Sequence, residues 1–152
     1  MVQNPALGSV LLARFAAGYQ EAASQVAPPL LAGFLVLPLV FHKRTLDTIN
    51  STLPASGLAL FAAKLASEKE ELLAVHTRAL AWRALTLKSL GIASSTGLIL
   101  INYEDASYRA LDCRIPVLPE RVRQMPKAAE KLGIWLAQVT LPQAAAVLKV
   151  AL

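Results

Sequence analysis

The chain has 152 residues, of which 55% are apolar and 16% charged, with a formal net charge of +5. Globular chains are typically ~45–50% apolar with Gly counted and ~25% charged. A compact monomer of this size cannot easily hide so much apolar surface, so some of it is expected to face a partner. The single cysteine, Cys113, excludes an internal disulfide, and with only His42 and His76 it cannot complete a structural zinc site. No basic-then-apolar leader opens the sequence, and the apolar run 26–41 is short for a membrane span and interrupted by Pro28, Pro29 and Pro38. Cytoplasm is the expected location.

Asn4 is placed to cap a first helix with Pro5 at its first position. Leu7, Val10, Leu11, Arg14, Phe15, Gly18 and Tyr19 follow at helical spacing to about Ala23. Pro28 and Pro29 restart the chain into 30–37, apolar all round and therefore expected as buried helix, which Pro38 kinks or ends. A short helix over 45–50 puts Leu46 and Ile49 on one side. Pro54 and Ser56–Gly57 mark a boundary, after which Leu58, Phe61, Ala62 and Leu65 define the next helix.

Ser67 and Glu70 have capping-box spacing and open a helix to about Arg83, with Leu72, His76, Ala79, Leu80 and Arg83 along its axis. Thr86 is expected to cap a further helix ending near Ser95. Gly97 then precedes an aliphatic run, and two strands are predicted at 98–103 and 108–113 around a turn at 104–107. Pro116 and Pro119 form a linker into a helix over 120–138, which Pro126 divides. Thr140 and Gln143 have capping-box spacing, and Pro142 sits in the first turn of a short terminal helix.

Three helices followed by a hairpin is the order of a winged-helix unit. The expected fold is therefore mainly α: a single domain over 1–152, with a helical N-terminal part at 1–53, a winged-helix-like unit carrying one β-hairpin at 57–113, and C-terminal helices at 119–152.

Reactive chemistry is hard to find. Cys113 with either histidine is the only conceivable nucleophile pair, and a lone cysteine at a strand end without an oxyanion-hole motif reads as a small buried apolar residue. His76 is expected to border the core, and His42, beside Lys43 and Arg44, marks a polar helix exit. No paired-acid motif, HExxH, Gly-rich phosphate loop or Walker pattern occurs. No enzymatic activity, catalytic residue, metal or cofactor is expected.

The winged-helix order raises DNA binding, through a recognition helix at 86–95 offering Lys88, Ser89, Ser94 and Ser95. Glu104 and Asp105 at the wing tip would repel phosphate, and few cations are present to replace released counterions. Arg78, Arg83, Lys88 and Arg109 leave room only for weak, non-specific nucleic-acid contact. The looser cation group from Arg109 to Lys131 reads as a solvated face. Protein contact is the better expectation, with Leu7, Leu11, Phe15 and Tyr19 of the first helix and Leu132, Trp135 and Leu136 of the terminal segment as the candidate interface and Trp135 as its anchor. Phe61 and Trp82 are expected in the core. A homodimer would satisfy the same apolar surplus.

Three blocks in register extend this reading. The first is Asn4-Pro5-Ala6-Leu7-Gly8 with Arg14-Phe15 and Gly18-Tyr19 behind it. The second is Pro29-Leu30-Leu31, Phe34-Leu35-Val36-Leu37-Pro38-Leu39-Val40 and His42-Lys43. The third is Ala128-Ala129-Glu130-Lys131-Leu132-Gly133-Ile134-Trp135 with its short terminal helix. Together they resemble the middle component of bacterial three-component ABC systems. The resemblance implies a small non-enzymatic adaptor encoded beside an ABC-type, SMC-like ATPase and a variable third component, in a system acting in bacterial defence against phage or other invading DNA. It brings no catalytic or cofactor-binding residues. A winged-helix DNA-binding regulator and a homodimeric scaffold are the alternative readings.

Overall fold

The computed structural model describes residues 4–67, 69–111 and 117–151; the side chains of 69–71 are also left aside. The chain opens with α1 (Pro5–Ala22), capped by Asn4, whose side-chain oxygen accepts from the amides of Ala6 and Leu7 at 2.9 and 3.3 Å. This satisfies donors that every helix start leaves orphaned.

The apolar run expected as one helix is two short ones, α2 (Leu30–Gly33) and α3 (Val36–Val40). Pro38 explains the break. It stands third in α3, where a missing N–H costs nothing, and its ring would meet the carbonyl four residues earlier, on Phe34, in a continuous helix. The division therefore falls upstream of the proline, at Phe34–Leu35. The C-terminal helix repeats the device. A 3₁₀ turn (Glu120–Val122) is separated from α8 (Gln124–Ala137), and Pro126 is again third in the helix, four residues after Val122.

Between these lie α4 (Lys43–Asn50), a 3₁₀ turn (Pro54–Ser56), α5 (Gly57–Ala66), α6 (Lys69–Ala81) and α7 (Arg83–Ser95). The capping box expected from Ser67 and Glu70 involves side chains outside the described residues. The α6–α7 boundary falls earlier than the sequence suggested. Trp82, with φ −102° and ψ 10°, makes the break, so Thr86 sits inside the first turn of α7, wholly buried, and does not cap it.

A Schellman turn ends α7. Gly97 adopts φ 79°, the Leu98 amide donates to the Ala93 carbonyl at 2.9 Å, and the Gly97 amide donates to Ser94. The chain then enters an antiparallel hairpin of β1 (Ile99–Asn102) and β2 (Ser107–Ala110), with Leu100 opposite Arg109 and Ile101 opposite Tyr108. The hairpin is shorter than expected, with β2 beginning one residue earlier, at Ser107 in the expected turn, and Cys113 falls outside the described residues. The terminal α9 (Leu141–Leu148) carries the predicted capping box: Gln143 N–H donates to the Thr140 hydroxyl and Thr140 N–H to the Gln143 side chain.

One buried cluster draws on α1 through α9 and the hairpin. α1 is its axis, packed most extensively on α8 and next on α7. Glycines allow the α1–α8 approach. A Cβ on Gly133 would stand 2.1 Å from the Phe15 carbonyl oxygen, and one on Gly18 2.2 Å from that of Glu130. Arg14 and Glu130 add an ion pair across the same seam. On the other side, Gly8 faces Ser89 of α7. The hairpin is tied down by β2: the Ala110 amide donates to the buried Gln20 side chain at 2.7 Å, and Tyr108 N–H donates to Pro28 O at 3.1 Å. The helix–helix–helix–hairpin order is thus present, with α7 and the hairpin both laid against α1.

Candidate functional site: two apolar seams and a groove

The residues expected to meet a partner meet each other. Leu7, Leu11 and Phe15 of α1 and Leu132, Trp135 and Leu136 of α8 are all buried within the chain. Tyr19 is half-buried, its ring centroid 6.4 Å from that of Phe15. The Trp135 indole lies on Phe61 with centroids 5.4 Å apart and donates its N–H to the Pro54 carbonyl at 3.0 Å. Both its apolar body and its one polar atom are satisfied internally. Trp135 is a core residue of the folded chain and not a surface anchor, because α5 supplies its ring contact and the turn at Pro54–Ser56 its hydrogen-bond acceptor.

The four cations expected to touch nucleic acid are spread over three elements. Arg78 is half-buried on α6, Arg83 and Lys88 are exposed on α7, and Arg109 on β2 donates to the Gln25 carbonyl at 2.9 Å. Of the polar residues attributed to a recognition helix, Ser89 is wholly buried against α1, while Lys88, Ser94 and Ser95 are exposed. Glu104 and Asp105 are exposed at the hairpin tip, and Asp105 accepts from the Ser107 hydroxyl at 2.6 Å. His76 borders the core as expected, its Nδ1 accepting from the Ala151 amide at 3.3 Å, and His42 stands at the N-cap of α4.

Among the described residues, Tyr108 and Lys131 titrate away from their usual values, and both tie elements together. Burial pushes the Tyr108 phenol up; its hydroxyl donates to the Leu12 carbonyl at 3.0 Å and so joins β2 to α1. Lys131 is pulled down by desolvation and then by the charge of Lys64, while its ammonium donates to the carbonyls of Ile49 and Thr52, each at 2.9 Å. Among the described residues, no group of three His, Cys, Asp or Glu is placed to hold a metal ion. No helix among them is long and apolar enough to cross a membrane.

Apolar surface remains open at several places among the described residues. A groove of about 500 Å³ runs beside the hairpin, lined by Tyr19, Val26, Pro29, Leu100, Asp105 and Arg109 among others. The larger feature is a stripe along α6 and α7. Leu73, Leu80 and Leu87 are 65%, 49% and 56% exposed, and Thr77 and Ala84 between them and Gly91 beyond them are exposed as well. Placing Leu80 with Leu72, His76, Ala79 and Arg83 along one helix axis missed this stripe. The signal that finds it is the seven-residue spacing of the three leucines.

A whole-chain comparison assigns this arrangement to a family. The model of the ABC-three component (ABC-3C) system Middle Component 3 matches residues 1–152. The chain belongs to this family. The blocks that carried the resemblance have concrete work in the middle component. Asn4-Pro5 starts α1, Pro38 divides α2 from α3, and the 128–135 block forms the small-residue face of α8 against α1. No curated protein and no solved structure matches the chain.

Proposed function

We propose that this middle component is a non-enzymatic adaptor that binds the ABC-type ATPase of its system and, with it, the third component. The observation that carries the reading is the match of the entire chain, residues 1–152, to a family defined as the middle member of a three-component system. The open leucine stripe on α6 and α7 supports a binding role, since contiguous exposed apolar surface marks interaction sites. Tyr108 and Lys131 are each engaged on backbone carbonyls that join structural elements, which fits structural rather than acid–base roles for both. In this reading the system acts in bacterial defence, and the adaptor works in the cytoplasm.

The test is co-expression with the ATPase encoded beside it, followed by affinity capture on the ATPase and light scattering of the eluted species. A stable complex containing both chains is the expected result. Independent migration of the two purified proteins at micromolar concentration would overturn it. In cells carrying the whole system, deletion of this component should abolish protection against phage.

A further inference from the structure

The helices α6 and α7 have two faces of different fate. Val75, Ala79, Trp82, Thr86, Ser89 and Ala93 point inward and are all buried. Leu73, Thr77, Leu80, Ala84, Leu87 and Gly91 point outward and are all exposed. The outward set steps by four, three, four, three and four residues, which is the a/d repeat of a helix that pairs with another helix. The two helices meet at Trp82, whose N–H closes α6 on Arg78 O and whose carbonyl accepts from Thr86 N–H at the start of α7, and the seven-residue spacing of the exposed leucines is kept across this break. Leucines fall at one position of the repeat and small residues at the other. A row of knobs with shallow gaps between them results.

Charge states what kind of helix fits. Beyond Lys69, Glu70 and Glu71 in its first turn, α6 and the whole of α7 contain no Asp or Glu, whereas Arg78, Arg83 and Lys88 lie on these two helices, with Arg83 and Lys88 exposed at the flanks of the stripe. A second copy of the chain docked along the same stripe would set cations against cations, and flanking charges choose the partner in paired helices. A lipid surface is a poorer match. Interfacial helices present a broad apolar face with aromatic anchors and many cations, whereas this stripe is narrow and its intervening positions are small.

We infer that the α6–α7 stripe docks an amphipathic helix of another protein, one with an apolar heptad seam flanked by Glu or Asp. This rests on the adaptor reading only for the partner's identity, not for the geometry of the surface.

The probe is a synthetic four-heptad peptide with Leu and Ala at its seam positions and Glu at both flanks, whose own like charges disfavour self-pairing. Fluorescence anisotropy against the full chain at low salt should show saturable binding, at least tenfold tighter than for the same peptide with Lys at the flanks. Leu80→Ser should weaken binding at least tenfold with an unchanged circular dichroism spectrum, since Leu80 is on the surface. The double variant Arg83→Glu, Lys88→Glu should reverse the preference between the two peptides. Equal binding of both peptides, no binding, or unchanged binding by Leu80→Ser overturns the inference. So does binding to vesicles of anionic phospholipid that Leu80→Ser abolishes, or a dimer in light scattering that Leu80→Ser converts to monomer. The neighbouring ATPase separates the two proposals. If it binds wild type and Leu80→Ser equally, the stripe fails while the adaptor reading stands. If it binds neither, the adaptor reading fails and the peptide result alone decides the stripe.

Discussion

The α1–α8 seam and the outer stripe of α6–α7 are both rows of apolar side chains at helical spacing, yet one is core and the other surface. Backbone approach separates them. α8 carries Ala128, Ala129 and Gly133 on its inner face, and Gly18 answers from α1, so the two backbones close until a single Cβ would collide with a carbonyl. The leucine stripe also has small residues beside its bulky ones, but among the described residues a Cβ on Gly91 would meet no atom within 4 Å. The difference teaches that an apolar stripe with small gaps specifies a helical neighbour without saying whether that neighbour is in the same molecule.

The comparison is broken most forcefully at Trp135. Replacing a wholly buried Trp by Ala removes a large ring from the core and typically costs about 3–5 kcal/mol. Trp135→Ala should therefore lower the denaturation midpoint severely, read by urea titration. A folded variant of near wild-type stability would mean that the terminal segment is not core at all.

Gly133→Ala is the next test. The new methyl would meet the Phe15 carbonyl oxygen, a backbone atom with little room to move, so α1 and α8 must separate. Overpacking of this kind costs roughly 1–3 kcal/mol, against about 1 kcal/mol gained from helix propensity. Net destabilisation in thermal and urea unfolding is expected, with a further loss for Gly133→Val.

Tyr108→Phe probes the attachment of the hairpin to α1 and should cost about 1 kcal/mol for the lost hydrogen bond to Leu12 O. The pH dependence gives a second readout. The folded phenol titrates above its unfolded value of about 10, so its contribution is fully present below that pH and is lost as pH rises beyond it. Lys131 is shifted the other way, and its contribution rises with pH as its unfolded value near 10.4 is approached. Lys131 is common to both proteins, so the wild type minus Tyr108→Phe difference should shrink above about pH 10. A difference that stays flat to pH 11 would contradict the burial of this hydroxyl.

The smallest effect carries the sharpest contrast. Gly91→Ala makes the same chemical change as Gly133→Ala, in a helix, at an exposed site. It should stabilise by up to about 1 kcal/mol through helix propensity alone. Opposite signs at the two glycines in one thermal-shift series would establish that packing, not residue type, separates the seams.

Local chemistry made much of this molecule readable in advance. Asn4-Pro5, the Thr140–Gln143 box with Pro142, Gly97 before the aliphatic run and the 104–107 turn are signals whose physical partners lie within a few residues. The corresponding cap, box, Schellman turn and hairpin followed from them. Pro38 and Pro126 were legible as interruptions, but the breaks lie upstream of each because a proline conflicts with the carbonyl four residues before it. Thr86 misled because a threonine inside a first turn has the same sequence appearance as one at its cap.

What the sequence could not decide was which apolar faces find one another. Arg14 meets Glu130 across 116 positions, and the Trp135 indole meets Pro54 across 81. Helical periodicity records that a face is apolar and says nothing about its distant occupant, so the α1 and α8 residues read as a surface for a partner until the tertiary structure paired them. The same limit hid the surface that is open. Leu72, Leu73 and Leu80 are equivalent in composition, and only the packing of α6 and α7 on the rest of the chain turns Leu73, Leu80 and Leu87 outward while Val75, Ala79 and Trp82 go in. Sequence alone determined the helices, the caps, the hairpin and an excess of apolar residues. Three-dimensional packing determined where that excess is spent, because burial depends on contacts between segments far apart in the chain.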